Sequence, residues 1–158
     1  MTAIADILWQ FAKWSEASSM GRVIRNSEYA FPMIEFVHLA ALAMIGGAVL
    51  IVDMRMLGFG LKKTSVAQLA KDAQPYVTGS LVVMLVTGVM LYSSEATKCY
   101  ASAAFWIKMV SLLLAMIFTY TVKKHTTAKD LENKVVGALS ILLWFGVAWG
   151  GRWIGFGG

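Results

Sequence analysis

Four long apolar runs alternate with short polar stretches along the chain, at roughly 31–52, 76–93, 104–122 and 135–150. Crossing a hydrocarbon core takes about 20 mostly apolar residues in a helix. The runs therefore predict four spans, over about 31–55, 75–95, 103–124 and 134–152. Ahead of them Ile4, Ile7, Leu8, Phe11 and Trp14 recur at helical spacing, while Asp6, Gln10 and Lys13 fall elsewhere on the wheel. That pattern predicts an amphipathic helix over 2–18, lying on the membrane surface with its tryptophans at headgroup depth. Asp6, Lys13 and Glu16 interrupt any apolar h-region, so no cleavable signal peptide is expected. The fold class is all-α: a four-helix transmembrane bundle with an N-terminal surface helix, in one membrane domain.

Local signals place the ends. Ser18-Ser19-Met20-Gly21 reads as a break. Pro32 suits the first turn of the first span, where its missing N–H costs nothing. Ser65-x-x-Gln68 resembles a capping box and predicts a short helix over 65–73, after which Pro75 opens the second span. The stretch from Glu95 to about Ala103 reads as a polar loop carrying Cys99.

Composition changes this picture little. With 58% hydrophobic residues, the chain is too apolar for an ordinary soluble domain. The net charge of +5 does not point to nucleic acid, because the basic residues cluster beside span ends. One cysteine excludes an intrachain disulfide. The loops after spans one and three carry eight Lys/Arg residues (Arg55, Lys62, Lys63, Lys71, Lys123, Lys124, Lys129, Lys134). The other side carries five (Lys13, Arg22, Arg25, Lys98, Arg152). Lys/Arg excess marks the cytoplasmic side, so both termini are expected outside, in the periplasm of a bacterial inner membrane.

The candidate chemistry lies in the spans. Ionisable groups are costly there and are functional candidates by default. Glu35 and His38 are three residues apart and share a helix face, with Gly46 two turns below His38 and Gly47 beside it, where a large group or another helix could approach. His38 is six residues inside Pro32, and Lys108 four residues inside Ala104. At 1.5 Å per residue both lie roughly 6–9 Å below the outer boundary. His125 is seventeen residues beyond Lys108, near the opposite face, so the two histidines cannot clamp one cofactor in one subunit. Small or polar stripes line the other spans: Ser80, Met84, Thr87 and Gly88; Lys108, Ser111, Ala115 and Thr119; Gly137, Ser140, Trp144, Ala148 and Gly151.

A single histidine in an apolar bundle beside a cation suits a non-covalent b-type haem, with imidazole as axial ligand and Arg152 pairing with the propionates. Glu35 would then be the partner that orients His38. Lys108 would be a second ligand if neutral, or would pair with Glu35 or a propionate. Met33, Met90 and Met109 are further ligands at that depth. The bland alternative is a structural Glu–His hydrogen bond, with the methionines as core filling rather than a copper path.

The motifs PMIEFVHLAALA (Pro32–Ala43), VDMRMLG (Val52–Gly58), TGVML (Thr87–Leu91), FWIK (Phe105–Lys108) and GGR (Gly150–Arg152) resemble an uncharacterised family of small bacterial four-span membrane proteins. More distantly, the His-Leu of span one and the Trp-x-Lys of span three are similar to HemJ-type protoporphyrinogen oxidases and CopD-type copper-resistance proteins. The HemJ resemblance implies haem b and porphyrin chemistry at His38 and Lys108. The resulting expectation is a haem b protein carrying electrons near the periplasmic face. The alternatives are a porphyrinogen oxidase, or a copper-transport or accessory membrane subunit. A homo-oligomer is compatible with the glycines, and the redox partner is unspecified.

The charge asymmetry gives a test. Reporter fusions at Lys63 and Lys129 are expected to behave as cytoplasmic; an active periplasmic reporter at either position reverses the orientation.

Overall fold

The computed structural model describes residues 3–60, 63–122 and 130–154. Its elements are α1 (Ala3–Glu16), α2 (Ser19–Asn26), α3 (Ala30–Met56), α4 (Val66–Ser94), α5 (Ala96–Ala101), α6 (Ala103–Ile117, continued by a π turn over Phe118–Val122) and α7 (Asp130–Ile154). Four of these helices, α3, α4, α6 and α7, are long and apolar enough to cross a membrane.

The spans form a row rather than a closed ring. α3 packs along α4 on one side and α7 on the other, and α6 packs along α7. α4 and α6 come close at few points, so a seam runs between them. The middle of the bundle is apolar, around Ile45, Met84, Leu112 and Val147. Small residues set the close crossings. A Cβ on Gly146 would sit 2.7 Å from the Ser111 hydroxyl, and one on Gly150 would sit 3.0 Å from the Ala104 carbonyl. This four-residue glycine spacing lets α7 approach the α6 backbone. The buried positions of α7 include Gly137, Ser140, Trp144, Val147 and Gly150. Ala148, expected on that stripe, is exposed because the helix turns 3.6 residues per turn and places Val147 inward instead. A Cβ on Gly46 or Gly47 would meet nothing within 4 Å, so none of the described helices uses the close approach they permit.

Three boundaries differ from the sequence reading. α4 is one helix from Val66 to Ser94 with Pro75 inside it, not a short helix followed by a span. Ser65 caps it as the box predicts, its hydroxyl accepting from the Gln68 N–H at 3.2 Å. Pro75 is exposed on α4 and removes one N–H from the helix without ending it. Ser19–Asn26 and Ala96–Ala101 are helices where a break and a polar loop are expected.

These short helices make a cap at the end that carries the chain's start. Helices of six and eight residues do not stand alone in water, so docking must hold them. Ala12, fully buried, and Ser15 face inward from α1. Ile4, Ile7, Phe11 and Trp14 remain exposed on the opposite side, as a helix lying against lipid requires. Glu16 ties the cap together. Its Oε2 accepts from the Thr97 N–H at 2.9 Å and from the Thr97 hydroxyl at 2.6 Å, and its Oε1 accepts from Arg25 at 3.3 Å. It thereby caps α5, whose own cap residue Glu95 makes no side-chain cap bond. Arg25 also donates to the Ser94 carbonyl at 3.0 Å. Gly21 lies so close to the Ser93 carbonyl that any side chain would strike it. Cys99 is buried in α5 rather than in a loop, and burial, reinforced by Glu95, pushes its thiol up to about 11.

The Thr97 hydrogen bonds and Arg25 hold the Glu16 carboxyl below its ordinary value of 4.5. A depressed carboxylate stabilises the fold fully above its unfolded value, and that stabilisation is lost as pH falls through the folded value. Hydrogen bonds to a charged group contribute about 1.5–3 kcal/mol. Glu16→Gln is therefore expected to speed amide exchange in α1 and α5 by about tenfold or more at pH 7. The difference should vanish in acid, and equal exchange at pH 7 would show that the cap does not depend on this carboxylate.

Candidate functional site

His38 is 6% exposed on the inward face of α3, which also carries Ala41, Ile45, Val49, Val52 and Met56. Both ring nitrogens have partners. Nδ1 lies 2.9 Å from the Thr87 hydroxyl, and Nε2 lies 3.2 Å from Lys108 Nζ. Three spans, α3, α4 and α6, thus meet at one imidazole.

The Thr87 geometry fixes the tautomer. A threonine hydroxyl has one proton. Thr87 spends it on its own helix, donating to the Val83 carbonyl at 2.7 Å, with the Met84 carbonyl at 3.2 Å. It must then accept from His38, so Nδ1 carries the hydrogen. That leaves the Nε2 lone pair facing Lys108. Two cations 3.2 Å apart in an apolar bundle would repel strongly. A lysine nitrogen carries hydrogens in either protonation state, so Nζ donates and Nε2 accepts.

Glycines shape the space around the pair. A Cβ on Gly88 would sit 3.2 Å from His38 Cε1, so the absent side chain gives the ring room to come close to α4. A Cβ on Gly150 would sit 2.9 Å from Lys108 Cβ, which shows how closely α7 backs the lysine. Beside the pair, in the seam between α4 and α6, lies a cavity of about 290 Å³. His38, Lys108, Met84, Gly88, Met109 and Leu112 line it, and Tyr92 and Phe105, stacked with centroids 5.6 Å apart, cross the seam at its outer end. The arrangement offers one imidazole lone pair and one lysine amine in an otherwise apolar chamber.

His38 and Lys108 are brought together, as their equal depth predicts. Glu35 is not the partner of His38. It is exposed, on the shoulder of the α3 inward face, and Thr87 holds the Nδ1 hydrogen instead. Arg152 is exposed on α7. It follows Gly151, where a Cβ would lie 3.6 Å from Lys108 Nζ, so its backbone belongs to the same layer. Of the methionines named from sequence, Met109 lines the cavity while Met33 is exposed. His125 lies outside the described residues. Thr87 and Gly88 are the pair that the sequence reading noted without a role. Their signal was adjacency: a hydroxyl and an absent side chain, side by side on the inward face of α4.

Residues 11–157 match a family of unknown function, DUF6644, and the chain belongs to that family. No curated protein and no solved structure matches the chain.

The tautomer can be read directly. In protein labelled with ¹⁵N-histidine, with His125 replaced by Gln so that one ring remains, the spectrum should show a protonated Nδ1 and an unprotonated Nε2. Thr87→Val removes the acceptor and should shift the tautomer balance. An Nε2-protonated ring in the unmodified protein would reverse the donor assignment.

Proposed function

We propose that this member of DUF6644 binds haem b through His38 and carries electrons near the face that holds its termini. The observation that supports the reading is the fixed tautomer. A metal-ligating histidine commonly donates its other ring N–H to a partner that sets ring orientation, and Thr87 does this for Nδ1. The lone pair is then on Nε2, which accepts from Lys108 beside an apolar chamber.

The donor set fits one axial bond. Nε2 and Nζ are 3.2 Å apart, so Lys108 would have to give way for the His38 imidazole to bind a haem. Its flexible four-carbon stem allows the small withdrawal needed. The cavity, about 290 Å³, falls just short of the usual ligand-site volumes of roughly 300–1,000 Å³, so a haem would have to widen the seam. It lies where α4 and α6 come close at few points. In this reading His38 supplies the axial nitrogen, Thr87 orients it, Arg152 pairs with propionates, and Lys108 is a second ligand or a nearby cation. Glu35 has no part. The haem would supply one-electron chemistry, and the protein would set its potential through burial and through Lys108.

The His38–Lys108 hydrogen bond supports a second reading, an oxidase of porphyrinogens in the manner of the HemJ-type proteins. Once Lys108 releases it, Nε2 would be the acceptor for a proton from a ring bound beside it, with the electrons passing to an electron acceptor supplied from outside the chain. In both readings the membrane is a bacterial inner membrane with the termini in the periplasm.

Purified protein titrated with haemin is expected to give a Soret band at one haem per chain, with α/β bands on reduction. His38→Ala should lose it, while Lys108→Met should keep it and shift the spectrum or the potential. Full haem occupancy in His38→Ala would sink the proposal, and bound copper without haem would favour a copper protein. Turnover of protoporphyrinogen would move the assignment to the enzyme.

A further inference from the structure

The other half of the α4/α6 seam, toward the α3–α4 connection, holds a second cavity, of about 380 Å³. Its wall on α4 changes character over two turns. Lys71 and Gln74 are exposed, Ala70 and Ala73 are half-buried, and Val77 is buried. The cavity therefore has a polar rim at one boundary of the hydrocarbon and a small-residue, apolar floor running inward.

Both facing helices depart from regular α geometry at this level. Pro75 has no N–H, so the Lys71 carbonyl, four residues back, lacks its helix donor. On the opposite wall α6 passes into the π turn that carries Tyr120, whose hydroxyl bonds the Thr78 hydroxyl at 3.0 Å across the seam. π turns are rare and concentrate at functional sites. Lys71 makes no ion pair or hydrogen bond with any described residue. Its neighbour Asp72 accepts from Gln68 at 2.8 Å instead.

An unpaired ammonium at the rim of an apolar groove that opens toward lipid is complementary to an anionic amphiphile. We propose that this cavity holds an anionic phospholipid, with its phosphate on Lys71 and Gln74 and one acyl chain against Ala70, Ala73 and Val77. The site is separate from the His38–Lys108 chamber, and neither depends on the other being occupied. One lysine near a membrane surface favours an anionic head by about fivefold.

The test is native mass spectrometry of the full chain in neutral detergent, with phosphatidylglycerol and phosphatidylcholine of the same chains in equal amounts. About fivefold preferential retention of phosphatidylglycerol is expected. Lys71→Gln should bring the ratio to about one, while Lys63→Gln, an exposed charge in the same region, should leave it unchanged. Ala73→Phe, with the milder Ala70→Leu beside it, should lower retention of both lipids in graded fashion. Equal retention by the unmodified protein overturns the proposal. So does equal loss from Lys63→Gln and Lys71→Gln, which would mean diffuse surface charge, and so does retention that ignores both alanine variants.

Discussion

An imidazole in hydrocarbon has no water to turn to, so both of its nitrogens need partners from the bundle itself. His38 finds them on two different helices, and neither helix belongs to the same packed pair as the other. Thr87 comes from α4, which packs on α3, and Lys108 comes from α6, which packs on α7. The ring therefore links α4 to α6, two spans that come close at few points. The rotation of α4 about its axis is set by Thr87 and Gly88, since a small change would lose the hydroxyl or drive the ring into a side chain. On the other half, Gly150 lets α7 press on Lys108 and limits where its stem can go.

The cap serves the same end of the bundle. α4 stops at Ser94, and Arg25 and Gly21 hold that end through its last carbonyls. Glu16 then fixes α5 against α1, and α5 leads directly into α6, six residues before Lys108. The short helices thus set where α6 begins relative to α4. Because α6 packs mainly along α7 among the described residues, this anchorage helps define the width of the seam at the chamber.

Much of this was legible in the chain, for reasons that differ between elements. The four spans follow from apolar length alone, because the bilayer demands it. His38 and Lys108 stood out because ionisable residues are rare in such runs, and 1.5 Å per residue put them at one depth. Thr87 could not be singled out. Threonine is common in spans, and its value here depends on how α4 is rotated against α3, which no periodicity within α4 reports. Glu35 misled because three residues along a helix is near His38 but not on the same side of the buried face. Pro75 misled because rules for helix ends come from water, where a freed carbonyl can be solvated and a break is cheap. α2 and α5 were unreadable because their helicity comes from docking, through contacts such as Thr97 with Glu16, about eighty residues apart in sequence.

The direct bond between Nε2 and Nζ has a consequence for anything that binds at His38. A ligand that takes the imidazole lone pair must first release Lys108, and that bond is the polar tie across the α3/α6 gap. Occupying the chamber and loosening the seam are therefore one event, not two. The freed lysine amine cannot leave its N–H groups unpaired in an apolar chamber. It must follow the ligand, by bonding it, or withdraw toward the boundary where Arg152 lies and the headgroups begin. The first course puts a hydrogen-bond donor beside whatever sits on His38, which favours ligands that present acceptor oxygens there. Gly151, open beside Lys108 Nζ, leaves room on the α7 side for that movement.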